Sequence, residues 1–69
     1  MYEEVLRVLE EAGASPSVLA EARDILSRLE RGLISSREAY YAVMGLAREE
    51  LVPLTPRQVG EIRRLLGVG

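Results

Sequence analysis

Three short stretches punctuate this chain and leave little choice about what it folds into: SPSV from Ser15, ISSRE from Ile34 and LTPRQV from Leu54. Each reads as the start of a helix. In the first and third, Ser15 and Thr55 stand at the capping position and Pro16 and Pro56 at the first helical position, where a missing N–H leaves no bond unmade. Glu38 lies three residues after Ser35, and Gln58 three after Thr55, which makes two capping boxes. Leu54 and Val59 are spaced to close a hydrophobic staple around the last of these caps.

Between the caps the apolar residues recur at helical spacing. Val5, Val8, Leu9 and Ala12 share one face of a first helix; Val18, Leu19, Ala22, Ile25, Leu26 and Leu29 share one face of a second. Gly13, Gly32 and Gly67 supply left-handed stops, and Pro53 sets a limit to the third helix. No strand-like alternation, internal repeat or linker interrupts the series. The expectation is one all-α domain over residues 1–69, a compact bundle of four short helices at about 2–12, 16–31, 36–51 and 56–66.

With 69 residues the chain lies near the lower size limit for a self-sufficient core, and it has neither cysteine nor histidine. Disulfides and thiolate or imidazole zinc sites are excluded. The longest uncharged run, AYYAVMGLA from Ala39 to Ala47, is less than half a membrane span, and Met1 is followed by Tyr2-Glu3-Glu4 rather than a basic leader. A cytoplasmic protein is expected. The net charge of −2 draws the chain toward neither nucleic acid nor anionic lipid. All nine basic residues are arginine and asparagine is missing, a usage that suggests a GC-rich, thermophilic source, with a designed sequence as the alternative.

Most charges have structural readings. Glu3 and Glu4 open helix 1, Arg28 and Arg31 close helix 2, and Arg63 and Arg64 close helix 4, each complementing the helix dipole. Glu3 with Arg7, Asp24 with Arg28 and Arg57 with Glu61 stand four apart, the spacing of helical ion pairs. Helix 3 departs from this order. Arg37 stands in its first turn, Glu49 and Glu50 in its last, and Gly45 interrupts its middle at a cost of about 1 kcal/mol relative to alanine. On a helical wheel Ala39, Tyr40, Val43, Met44, Ala47 and Leu51 form the core face, with Ala42 and Leu46 on its flank. A second strip remains, Tyr41, Gly45 and Val52, edged by Arg37 and Arg48 on one side and by Glu38 and Glu49 on the other. An aromatic beside arginines has the composition of a binding hot spot.

Catalysis is not expected. No His, Cys or Lys is present to serve as a tuned base or nucleophile, and the adjacent pairs Glu10-Glu11 and Glu49-Glu50 diverge around their helices. No phosphate-cradling glycine loop, cofactor motif, metal set or small-molecule substrate site is legible. The stretch LTPRQVGEIRRLLGVG, Leu54 to Gly69, resembles the opening helix of resolvase-type helix-turn-helix domains. That resemblance implies DNA binding, but the 16 residues end before the base-reading helix of the family, so no base-contacting residue carries over. Arg23, Arg28, Arg31, Arg57, Arg63 and Arg64 could form a basic patch across helices 2 and 4, giving weak, salt-sensitive binding to DNA or RNA. The leading expectation is a non-catalytic protein-interaction module or small accessory subunit. It docks onto another protein, or onto itself as a homodimer, through Tyr41, Arg37, Arg48, Gly45 and Val52.

Overall fold

A computed structural model describes residues 2–69. It contains four helices, α1 (Glu3–Glu11), α2 (Pro16–Glu30), α3 (Ser36–Glu49) and α4 (Pro56–Leu66), and no strand among the described residues. The caps form as their sequences require. Ser15 Oγ accepts from the Val18 N–H at 3.3 Å. In the two boxes, Glu38 N–H donates to Ser35 Oγ at 3.1 Å while Ser35 N–H donates to the Glu38 carboxylate at 2.8 Å. Gln58 and Thr55 repeat the exchange at 3.1 and 3.0 Å. The orphan N–H groups of three helix starts thereby find acceptors without help from the core.

All four helices end the same way. The N–H two residues past the last turn reaches back to a carbonyl five residues earlier: Ala14 to Leu9, Leu33 to Arg28, Val52 to Ala47 and Val68 to Arg63, at 2.8–3.0 Å. This Schellman closure needs one residue in the left-handed region, and Gly13, Gly32 and Gly67 occupy it in α1, α2 and α4. In α3 the position falls to Leu51, with φ of +57°.

That ending corrects the sequence reading of helix 3. The helix stops at Glu49 rather than Leu51, and Leu51 is not on the core face but 86 % exposed. The cause lies ahead of it. Pro53 forces Val52 out of the helical region, so the reversal must be completed by Leu51, and a left-handed residue at that point throws its side chain outward. Val52, the next residue, turns back and packs half-buried against the core.

The helices form a closed ring. The backbone of α1 comes close to those of α2 and α4, and α3 comes close to the same two, while the diagonal pairs α1–α3 and α2–α4 face each other only across the core. At the α1–α4 seam, Tyr2 and Leu65 line one small surface hollow. The centre is filled by Val5, Leu9, Val18, Ala22, Leu26, Val43, Ile62 and Leu66, and among the described residues no polar or charged one is buried with them. Leu6 is buried too, outside the expected face of α1. No helix among the described residues is long and apolar enough to cross a membrane.

Candidate docking face on helix 3

α3 shows the ring's interior Ala39, Val43, Leu46 and Ala47, all buried, while Ala42 on the same expected flank as Leu46 is exposed. Opposite this buried arc stands Tyr41, 61 % exposed. Its ring meets Tyr40 edge-on, with centroids 5.4 Å apart and planes at 64°. Tyr40 is in turn covered by the Arg63 guanidinium of α4, 5.7 Å from the ring centroid. Arg63 also donates to the Gly69 carbonyl at 3.4 Å. A cation–π contact of this kind contributes roughly 0.5–1 kcal/mol at an exposed site, and it fixes the platform on which Tyr41 rests.

Two grooves flank α3. The one toward α4, about 450 Å³, is lined by Tyr40, Tyr41, Met44, Val52, Leu54 and Val59, with Arg48 its only charged residue. The one toward α2, about 540 Å³, has an apolar floor of Ala20, Ile25, Ala42, Gly45 and Leu46 under a charged rim of Glu21, Asp24, Arg28 and Glu49. The α4-side groove thus carries a single arginine, whereas three carboxylates and one arginine border the α2-side groove.

This divides the strip expected from the sequence. Tyr41 and Val52 share the α4-side groove with Arg48, whereas Gly45 belongs to the α2-side groove. Val52 reaches its place from the chain reversal and not from the helix. Arg37 and Arg48 are exposed, and neither makes an ion pair among the described residues; the same holds for Glu49. A Cβ built on Gly45 would meet nothing within 4 Å, so the glycine is not there to admit α2. The apolar contributions of Leu54 and Val59 escaped the sequence reading because their staple spacing already accounted for them. Pro53, which also borders the α4-side groove, had been read only as a helix stop.

The six arginines considered for nucleic acid are divided between two helices on opposite sides of the ring. Arg23, Arg28 and Arg31 belong to the α2 side of the ring and Arg57, Arg63 and Arg64 to α4, its diagonal opposite. Arg23 pairs with Glu3 of α1 at 3.7 Å, and Arg28 pairs with Asp24. Arg7 pairs with Glu4 at 3.5 Å instead of Glu3, because Glu3 has turned toward α2; Arg57 and Glu61 make no ion pair. Among the described residues no group of three or more carboxylates is placed to hold a metal ion.

No protein-family model matches the chain, and no curated protein or solved structure matches it either. What can be said of its role therefore rests on this face and its chemistry.

Proposed function

We propose that the domain is a non-catalytic protein-interaction module that docks through the outward face of α3. The observation that carries the reading is Tyr41: a large aromatic, mostly exposed, set edge-on against Tyr40 and lining the largely apolar α4-side groove. Aromatic anchors that keep few rotamers and stand beside arginine supply much of the binding energy of protein interfaces. One local choice that costs stability, Gly45 in mid-helix, lies on the same helix beside the α2-side groove. Such costs concentrate where a surface serves something other than folding.

The reading is tested by substituting Tyr41→Ala and measuring mass in solution by light scattering, with and without a short DNA duplex, at low and high salt. Association independent of DNA and lost in the variant, with the helical circular-dichroism signal unchanged, is the expected result. Unfolding of the variant would make Tyr41 part of the fold. A gain of mass with DNA at low salt, abolished at high salt, would transfer the role to the arginines of α2 and α4.

A further inference from the structure

We infer that the partner seated on α3 is a second copy of this chain, crossing antiparallel about a two-fold axis at the level of Val43; this rests on the docking reading above. Four residues on the outer side of α3 share one spacing. Arg37, Tyr41, Gly45 and Glu49 stand four apart and form one ridge of the helix surface. Ridges of this spacing packed against each other give the commonest helix crossing, at about 50°.

Reversed against itself, the ridge is self-complementary. A two-fold axis midway along it places residue 41 of one copy at residue 45 of the other, and residue 37 at residue 49. Tyr41 then meets the one position of the ridge that lacks a side chain, and each Arg37 meets a Glu49. Both halves of the match are open in the single chain. Apart from its chain neighbours and the helix's own backbone, nothing lies within 4 Å of where a Gly45 side chain would begin, and Arg37 and Glu49 make no ion pair among the described residues.

The groove beside Gly45 suits a tyrosine. Its floor of Ala20, Ile25, Ala42 and Leu46 would receive the ring, and carboxylates at its rim, Glu21 and Glu49, would accept from the phenolic hydroxyl. A two-fold contact needs no second surface, since the same patch serves both copies. Helices crossing at this angle touch over only a few turns. The dimer belongs with the small interfaces, below about 1,200 Å² in total, and depends on concentration.

The test uses charge reversal, measured by sedimentation equilibrium from micromolar to millimolar chain. Arg37→Glu alone and Glu49→Arg alone each set like charges against each other twice, and each weakens self-association by about tenfold or more. Mixed in equal amounts, the two variants pair with each other, because every ridge contact again joins opposite charges. The double variant Arg37→Glu with Glu49→Arg recovers self-association within one chain. Gly45→Leu fills the receptacle with a better helix former, keeps the fold and leaves a monomer. A wild-type chain that stays monomeric throughout overturns the second copy as partner and leaves α3 to a different protein. A dimer indifferent to all of these changes overturns both the pairing and α3 as the docking face.

Discussion

At the scale of single residues, one position within α3 and one just past its end run against the conformational preferences that the rest of the chain obeys. Leu51 takes a left-handed conformation that glycine fills at three other helix ends, and its side chain lies almost wholly in water. Leu51→Gly removes a steric penalty but loosens the unfolded chain. A net gain of about 0.5–1 kcal/mol is expected, visible as a higher midpoint in urea. Gly45→Ala fills open space and restores helix propensity, so it raises stability by about 1 kcal/mol when measured in dilute solution. A loss instead would show that the glycine serves the fold. The positions of both residues along the helix were legible in the sequence, but their surroundings were not. Counting turns placed Leu51 on the core face, because a helical wheel assumes that the helix continues. Only the proline two residues on, combined with the backbone reversal it requires, turns that residue outward.

At the scale of helices, side-chain caps decide where α2, α3 and α4 begin, and they were readable from side-chain chemistry alone. Ser35→Ala and Thr55→Ala each remove one acceptor and one half of a reciprocal exchange. Each is expected to cost about 1 kcal/mol, read as a fall in the thermal midpoint of the circular-dichroism signal. The ion pairs were less legible. Spacing paired Arg7 with Glu3, yet Glu3 reaches across to Arg23 on α2 and Arg7 takes Glu4. Exposed pairs of this kind differ by tenths of a kcal/mol, so small differences in tertiary position choose among them. The proposed docking face was legible as a composition, an aromatic with arginines and glutamates on opposite edges. Its division into two grooves was not, because that depends on which neighbours α3 receives.

At the scale of the whole molecule, the order of packing could not be read from any single element. Four amphipathic helices of similar length admit several arrangements, and the ring that forms is the one in which consecutive helices are always neighbours. The core it encloses is small. Leu9, 1 % exposed at its centre, has no spare layer around it, and Leu9→Ala is expected to cost about 2–5 kcal/mol. Against the 3–5 kcal/mol or so that a single core of this size supplies, that loss unfolds much of the population at room temperature, checked by the loss of helical signal. The closure of the ring has a consequence for the order of the chain itself. Because α4 returns to lie beside α1, with Leu65 and Tyr2 lining one hollow, the packing does not depend on which of the four corners is left open. A circular permutant that joins Gly69 to Tyr2 through a few glycines and opens the backbone at exposed Leu33 should fold to the same ring. The corner after α2 would then become the chain's two ends, and α3 the first helix to be made.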